Sequence, residues 1–239
     1  MNKETFKIKL ADMVIAIRHT YPNVKNICRD YIVDDIEATE IFQVEVAKED
    51  IEKEQVNGNF SAGYCESVCI YREIVKKLPS YGAFFLHASV VELDGLSYAF
   101  MAKSGTGKST HTSLWLEHFG ERARIINGDK PLLRFIDGKL FVYGTPWCGK
   151  EGLNINTSSQ LKALCFLERG TDNSIRRLSD SEIVARLFHQ LIMPQDMQAA
   201  DCLLQLLDRT VKEIPVWLLR CNISQEAVIT AYEAMSSEN

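Results

Sequence analysis

The sequence predicts an α/β fold organised around a glycine-rich loop. The apolar run Leu96–Met101 has the character of a buried strand, and it leads directly into a glycine-containing segment at residues 104–110. Apolar residues with helical spacing follow up to residue 119. Strand, glycine loop and helix in this order form the context in which phosphate-binding loops occur. We divide the chain into an N-terminal region (1–82), a central core (83–178) and a C-terminal part (179–239).

The N-terminal region is expected to be a small α+β unit. Residues 6–10 alternate apolar and polar side chains with period two, as in a strand with one buried face. The other segments are interpreted as short strands at 31–33 and 41–46, a surface loop at 48–59, and a helix through Tyr71, Ile74, Val75 and Leu78 that Pro79 ends.

The central core is expected to consist mainly of short strands. An apolar run at 83–91 and the strand Leu96–Met101 flank the tight-turn signal Asp94-Gly95, so a hairpin is predicted to feed the glycine loop. A second hairpin is predicted across Asp137-Gly138. Beyond the helix that follows the loop, strands are expected at residues 124–126, 132–136, 139–143 and 161–167.

The C-terminal part is expected to be mainly helical and to pack on the core. Ser179 and Glu182 have the spacing of a capping box and precede an apolar run with helical spacing. The later segments are interpreted as a helix at 195–212, a strand at 216–219, and a final helix at 225–235 that follows the N-cap residue Ser224.

Composition and charge exclude several classes of protein. The 239 residues carry a formal net charge of −5, whereas a general nucleic-acid binder would present a basic surface. A membrane-spanning helix needs about 18 or more apolar residues in a row, and the sequence has no such run. The first residues also lack the apolar centre of a signal peptide. The seven scattered cysteines fit reduced thiols, as in a cytoplasmic protein. From these observations together we expect a cytoplasmic protein with no nucleic-acid or membrane partner.

The residue types that bind nucleotide phosphates occur together in the glycine loop, which comprises Ser104, Gly105, Thr106, Gly107, Lys108, Ser109 and Thr110. The two glycines allow backbone N–H groups to curl around a phosphate, and the following helix N-terminus adds partial positive charge. Lys108 is expected to reach the β- and γ-phosphates, and the Ser109 hydroxyl is expected to bind Mg²⁺. The sequence therefore predicts a P-loop that binds ATP and Mg²⁺.

One position departs from the P-loop (Walker A) consensus. Ala102 stands where the pattern has its first glycine, five residues before Gly107. The added methyl group is a mild change, because both phosphate-facing glycines remain. The alternative interpretation is a glycine-rich turn that precedes a helix without binding phosphate. His111, just after the loop, is expected to face outward, whereas Trp115 is expected to pack the helix onto the sheet.

The residues around the loop resemble those of one P-loop family. His87 lies one hairpin upstream, Asn127-Gly128-Asp129-Lys130-Pro131 follows the loop helix, and a glycine-rich segment occupies residues 144–152. Over residues 83–170 this layout resembles the catalytic domain of HPr kinase/phosphorylase, which shares its core with phosphoenolpyruvate carboxykinase. The resemblance implies a P-loop kinase core with an antiparallel-rich sheet and the ability to self-associate.

The resemblance also implies roles for individual residues. In such kinases an aspartate pair after the loop helix supports metal binding and deprotonates the acceptor hydroxyl, but here Gly128 occupies one position and only Asp129 remains. Three alternatives follow for the general base. Asp129 acts alone, Asp129 is assisted by His87, or the protein binds nucleotide without turning it over. Glu151 is a further candidate metal ligand, and Lys150 a candidate for neutralising the transferred phosphate.

Each candidate residue also has an interpretation without function. His87 could be a packed core histidine, Asp129 could shape a turn with Asn127 and Gly128, and Glu151 could be an ordinary surface glutamate.

Three functions remain open from the sequence. The leading hypothesis is a phosphotransferase that acts on a hydroxyl of a protein, peptide or small molecule, with the N-terminal region recognising that acceptor. The alternative is a nucleotide-binding regulator or assembly factor with little or no turnover. A carboxykinase is disfavoured, because the chain is short and has no arginine-rich segment to hold a carboxylate substrate.

Overall fold

The computed structural model describes residues 3–35, 38–103 and 105–237, and these residues form a mixed α/β fold. They contain a three-stranded sheet in the N-terminal region and a larger mixed sheet of nine strands. Within the same residues, each helix is too short or too polar to cross a lipid bilayer.

The three-stranded sheet begins with a hairpin. Strands β1 (Glu4–Leu10) and β2 (Met13–His19) are antiparallel, and β3 (Phe42–Val44) pairs in parallel with β2. The hairpin turn places both Ala11 and Asp12 at positive φ, 47° and 61°, as two-residue hairpin loops with a matching twist require. The alternating pattern of residues 6–10 predicted β1. Strand β2 was not predicted, because this turn contains neither glycine nor asparagine.

Three helices complete the N-terminal region, namely α1 (Pro22–Ile27), α2 (Lys48–Asn57) and α3 (Ala62–Lys77). The predicted helix before Pro79 is confirmed as α3, whose apolar stripe buries Ile70, Ile74 and Val75. Ser61 caps this helix by accepting a hydrogen bond from the Tyr64 backbone N–H.

Helix α2 contradicts the surface loop predicted at residues 48–59. Only Ile51 among its described side chains is buried, so the segment lacks the apolar periodicity on which that prediction depended. Lys, Glu and Gln are nevertheless good helix formers, and α2 is joined to α3 by an ion pair between Arg72 and Glu54 at 3.1 Å. Propensity and tertiary contacts with α3 therefore form a helix that periodicity does not reveal.

The strand predicted at residues 31–33 was also wrong, and the strand at 41–46 was too long. Residues Arg29–Tyr31 form a single 3₁₀ turn, and Ile32 makes one isolated bridge to Ile8. In the second segment only Phe42–Val44 is a strand, because its partner β2 pairs with just three of the residues.

The larger sheet contains β4 (Ala83–Phe85), β5 (Ser89–Leu93), β6 (Leu96–Met101), β7 (Ala123–Asn127), β8 (Leu132–Ile136), β9 (Lys139–Tyr143), β10 (Ser158–Arg169), β11 (Ser174–Arg177) and β12 (Val216–Cys221). The strand order is β4-β8-β9-β10-β6-β5-β7, with β12 paired to β10 and β11 paired to β12. Among the described residues, every pairing in this sheet is antiparallel except those of β10 with β6 and with β12.

The connection between β4 and β5 forces this sheet to curl. Five strand spacings separate β4 from β5 in the strand order, which is about 24 Å in a flat sheet. Only residues 86–88 join them in the chain, and a connection of that length spans at most about 14 Å. The two ends of the sheet must therefore approach each other. The predicted single strand at 83–91 is accordingly interrupted at residues 86–88.

Four further helices, α4 (Lys108–Phe119), α5 (Asp180–Leu187), α6 (Met197–Glu213) and α7 (Gln225–Ser236), cover the larger sheet. Alternate residues of β6 face opposite sides, as a strand dictates. Tyr98 and Phe100 belong to the apolar cluster that contains Trp115 of α4 and residues of α7. Ala99 and Met101 belong to the cluster that contains residues of α5 and α6.

Several sequence-based expectations are confirmed by these elements. The two hairpins turn at Asp94-Gly95 and Asp137-Gly138, the capping box forms between Ser179 and Glu182, and Ser224 caps α7. The boundaries after residues 82 and 178 stay predictions. Strand β12 lies beyond the second boundary and pairs with β10 of the larger sheet.

A buried glutamate joins α3 to the end of the first hairpin. Glu66 is 1% exposed, and its carboxylate accepts hydrogen bonds from the backbone N–H groups of Thr20 at 2.7 Å and Tyr21 at 2.8 Å. These residues immediately precede α1, so the carboxylate occupies the position of an anion at a helix N-terminus.

Replacing Glu66 with alanine is expected to lower the free energy of unfolding by about 2 kcal/mol or more, because two backbone donors lose their acceptor. Chemical denaturation measures the change. Glu73→Ala is the matched control on the same helix, because Glu73 forms a more exposed ion pair with Lys76; its effect should stay near 0.5 kcal/mol. Equal effects for the two variants would contradict this role of Glu66.

Candidate functional site

The candidate site lies at the edge of the larger sheet where β6 and β7 end and β5 begins. The register pairs Ser89 with Phe100 and Val90 with Asn127. Three connections therefore meet at this edge: the β4–β5 connection with His87, the glycine loop after β6, and the turn with Asp129 after β7. Antiparallel pairing of β5 with both neighbours is what brings residues from three separate segments together.

The glycine loop depends on backbone conformations that glycine adopts readily. Gly105 has φ of 77° and Gly107 has φ of 121°, in the region that side-chain-bearing residues rarely occupy. A β-carbon on either residue would meet no atom within 4 Å, so the requirement comes from the dihedral angle and not from lack of space. Helix α4 begins directly after Gly107, and its first N–H groups have no partner within the helix. Ser104, the first predicted loop residue, lies outside the described residues.

Arg169, at the end of β10, supports the glycine loop from one side. Its guanidinium donates to the carbonyl oxygen of Gly105 at 2.5 Å and to that of Thr106 at 3.3 Å. Because β10 pairs in parallel with β6, the arginine extends beyond the same strand ends from which the loop emerges. The loop carbonyls are thereby turned towards Arg169.

The structure brings Lys108, His87 and Asp129 into one hydrogen-bonded cluster. The Lys108 Nζ lies 2.7 Å from His87 Nε2 and 3.9 Å from Asp129 Oδ1. His87 Nε2 also lies 3.0 Å from Asp129 Oδ1, and Lys130 forms an ion pair with Asp129 Oδ2. One ring nitrogen cannot accept a hydrogen bond from the lysine and donate one to the carboxylate at the same time. The two contacts of His87 Nε2 are therefore alternatives.

Burial and charge shift the titration of this cluster. Burial lowers the pKa of Lys108, and the neighbouring Asp129 carboxylate acts in the opposite direction. Burial alone would raise the pKa of Asp129, but hydrogen bonds from His87 and Lys130 outweigh it and hold that pKa well below its usual range. Asp129 is consequently ionised at neutral pH.

The side chain of Asn127 shapes the turn that presents Asp129. Its Oδ1 accepts hydrogen bonds from the backbone N–H groups of Asp129 at 2.9 Å and Lys130 at 2.6 Å. Its Nδ2 donates to the carbonyl of Thr145 at 3.1 Å, and Asn127 is fully buried. The turn-forming role considered for residues 127–129 is therefore present, and the turn fixes the position of Asp129.

Helix α3 of the N-terminal region buttresses the same turn. The Tyr71 hydroxyl donates to the carbonyl of Lys130 at 2.8 Å, and the Trp147 indole donates to the carbonyl of Ser67 at 3.0 Å. The rings of Tyr71 and Trp147 stack with centroids 4.4 Å apart. Segments far apart in the sequence are thus held together around Asp129.

A half-open cavity of about 850 Å³ contains most of the predicted site residues. The predicted residues that line it are His87, Gly105, Gly107, Lys108, Ser109, Thr110, Asp129, Lys150 and Glu151. Thr106 does not line this cavity and instead faces a second cavity on the other side of the loop. The roles proposed for all of these residues stay predictions.

The predicted metal ligands have the chemistry that Mg²⁺ prefers. The Ser109 hydroxyl and the Asp129 and Glu151 carboxylates are hard oxygen donors in one cavity. No group of three or more His, Cys, Asp or Glu side chains within the described residues could by itself hold a metal ion. This donor set fits Mg²⁺ held jointly by few protein ligands, water and phosphates.

His111 does not face outward as the sequence analysis expected. It is 3% exposed, and its Nε2 accepts a hydrogen bond from the Trp115 indole at 3.1 Å. Its ring packs edge-on against Phe100 of β6. The helix is turned so that His111 and Trp115, four residues apart, share the face that meets the sheet.

Comparison with solved structures gives distant similarity. The sequence matches no protein-family model, and no curated protein matches it significantly. Among solved structures, the HPr(Ser) kinase/phosphatase from Coxiella burnetii is similar with a TM-score of 0.37 and 10% sequence identity, over 64% of this chain and 92% of that chain. This similarity is too distant to assign an activity or substrate to this chain.

Several residues that build the site were not predicted from the sequence. Arg169, Tyr71 and Thr145 each act through contacts with residues remote in the sequence, and no local pattern marks them. Asn127 gave a usable signal, because an asparagine that ends a strand before Gly-Asp is typical of a side-chain-stabilised turn.

Replacing Asn127 with alanine is expected to lower the free energy of unfolding by about 2 kcal/mol, because buried backbone N–H groups lose their acceptor. Denaturant titration measures this change. Asn156→Ala is the control, since the Asn156 amide donates to the Asp30 carbonyl at an exposed position; about 0.5 kcal/mol is expected there. A wild-type unfolding curve for Asn127→Ala would show that the turn does not need this side chain.

Proposed function

We propose that the protein is an ATP- and Mg²⁺-dependent phosphotransferase that acts on a hydroxyl group of a protein, peptide or small molecule. The observation that carries the proposal is the meeting of the glycine loop with the Lys108–His87–Asp129 cluster in one cavity. A phosphate-binding loop supplies a donor site, and an ionised carboxylate beside it supplies a group that can orient an acceptor hydroxyl.

The glycine loop would bind the phosphates of ATP. Backbone N–H groups at the start of α4 and the partial positive charge of the helix N-terminus both favour an anion there. Lys108 holds His87 in the free protein, so binding requires the ammonium group to exchange the imidazole for phosphate oxygens. That exchange leaves His87 Nε2 facing Asp129 alone.

Mg²⁺ would be held by Ser109 and Asp129, with Glu151 as a further ligand. When bound, the ion would supply positive charge that neutralises part of the phosphate charge. The exposed position of Glu151 at the cavity rim leaves its side chain free to turn towards the phosphates.

Asp129 and His87 would share the handling of the acceptor proton. The low pKa of Asp129 keeps it ionised and able to accept a hydrogen bond from the hydroxyl, but it also makes this carboxylate a weak base. His87 Nε2 lies 3.0 Å from Asp129 Oδ1, within hydrogen-bond distance, so the imidazole is placed to take part in moving that proton. In this arrangement His87 compensates for the absence of a second aspartate at position 128.

The acceptor would enter from the side of the N-terminal region. Asn23 and Ile27 of α1 and Tyr64 and Val68 of α3 line the same cavity as Lys108. They form a wall of mixed polar and apolar character opposite the glycine loop. This placement supports the assignment of acceptor recognition to residues 1–82.

A Lys108→Ala variant is expected to lose most of its affinity for ATP, because an ammonium–phosphate contact is lost. Calorimetric titration with ATP, ADP and GTP, with and without Mg²⁺, measures the effect. Lys139→Ala removes an exposed lysine from the β8–β9 hairpin and should bind like the wild type. If the wild-type protein binds no nucleotide, the site is a structural turn and the proposal fails.

An Asp129→Asn variant should still bind ATP but should transfer phosphate at least about 100-fold more slowly, the usual effect of losing a positioned acid–base group. Phosphoryl-donor consumption in a screen of serine peptides, protein fractions and small alcohols measures turnover. Wild-type protein that consumes no donor with any acceptor would overturn the phosphotransferase proposal.

The second candidate, a nucleotide-binding regulator without turnover, is favoured by the packing around Gly128. A β-carbon at this position would lie 3.0 Å from the carbonyl oxygen of Cys148, and the Gly128 N–H donates to the Leu153 carbonyl at 2.9 Å. The backbone therefore crowds the position at which kinases of the resembled family carry an aspartate. Tight nucleotide binding without donor consumption would support the regulator, and so would activity gained on Gly128→Asp substitution.

A further inference from the structure

The second cavity, of about 580 Å³, lies against the opposite side of the glycine loop. Gly105, Gly107 and Thr110 line both cavities, so the two meet at the loop. The far wall of the second cavity comes from the end of β10 and the segment after β12, including Leu167, Arg169 and Ile223. Its volume falls within the roughly 300–1,000 Å³ typical of small-molecule sites.

We propose that this second cavity binds the nucleoside part of the phosphoryl donor, with the base packed between Leu114 and Ile223. The inference rests on the proposed function and specifies how its donor is recognised. A donor whose phosphates lie along the loop, with the reacting end near Asp129, must continue past Thr110 at its other end. The second cavity is the space that opens there.

The lining of this cavity suits a flat apolar ring. Leu114 of α4 and Leu167 of β10 contribute apolar walls, and Ile223 is 78% exposed at the rim. Exposing so much of an isoleucine leaves apolar surface in water that a bound base would cover. The first cavity contains the charged cluster of Lys108, Asp129 and Lys130.

A buried donor without a partner lies beside the same cavity. His111 lines the cavity, and its Nδ1 is buried without a hydrogen-bond partner. Because the Trp115 indole donates to Nε2, Nε2 carries no proton and the ring proton lies on Nδ1. A ribose oxygen or ring nitrogen of a nucleoside would provide the missing acceptor after a small ring movement.

The polar side chains on the far wall are already engaged within the protein. Arg169 donates to the loop carbonyls, and Glu168 pairs with Arg186 at 2.9 Å. The Asn222 amide donates to the Thr171 carbonyl and accepts from the Ser224 hydroxyl. Since these side chains already make contacts within the protein, the base is bound mainly by packing. We therefore expect adenine and guanine to be discriminated by less than about tenfold, which corresponds to about 1.4 kcal/mol.

The test compares nucleotides with a ligand that has no nucleoside. Calorimetry with Mg²⁺ measures the dissociation constants of ATP, GTP and inorganic tripolyphosphate for the full chain and for Ile223→Ala, Ile223→Phe and Met197→Ala. Met197→Ala is the matched control, because Met197 is also an exposed apolar residue, at 82%, and does not line either cavity.

The expected result is selective for the nucleoside. Ile223→Ala should weaken ATP and GTP about fivefold through lost apolar contact and leave tripolyphosphate unchanged. Ile223→Phe should bind both nucleotides at least as tightly as the wild type, and Met197→Ala should bind like the wild type.

Three results would overturn the inference. In the first, ATP binds no more tightly than tripolyphosphate. In the second, Ile223→Ala leaves ATP affinity unchanged or weakens tripolyphosphate equally. In both, the phosphate site and the proposed function survive. In the third, neither ATP nor tripolyphosphate binds, and the proposed function falls as well.

Discussion

The three-residue connection between β4 and β5 is the constraint on which the site depends. It joins β4, at one end of the strand order, to β5, which is next to the last strand at the other end, so the sheet has to curl until these two strands approach each other. His87 lies in this connection, and the curl places it beside the ends of β6 and β7. A flat sheet with the same strands would leave His87 too far from Lys108 and Asp129 for the hydrogen bonds that unite them.

A single carboxylate surrounded by three basic side chains follows from this geometry. Asp129 contacts Lys108, His87 and Lys130, and the contacts with His87 and Lys130 hold its pKa down and keep it ionised. In water such pairs would contribute little, but partial burial strengthens them and makes their geometry specific. In the proposed function, an incoming phosphate would compete with Asp129 and His87 for Lys108.

The glycine loop separates two spaces of different character. On one side lie charged groups and the wall from α1 and α3, and on the other lie apolar side chains and a guanidinium that holds the loop carbonyls. A ligand with a polyanionic end and an apolar end matches this division. Apart from the glycine loop that they share, the two spaces are lined by different parts of the chain.

Local patterns in the sequence were sufficient for the glycine loop, both glycine-containing hairpins of the core and the caps at Ser179 and Ser224, because each depends on neighbouring residues. They did not predict helix α2, whose surface is mostly polar, or strand β2, which follows a turn without glycine. They also failed for the orientation of His111, which α4 turns against the sheet. The sequence by itself determined which groups are available for phosphate chemistry. Only the tertiary structure decided that Arg169, Tyr71 and Asn127 position them, because contacts between distant segments arise from strand pairing and packing that no local window contains.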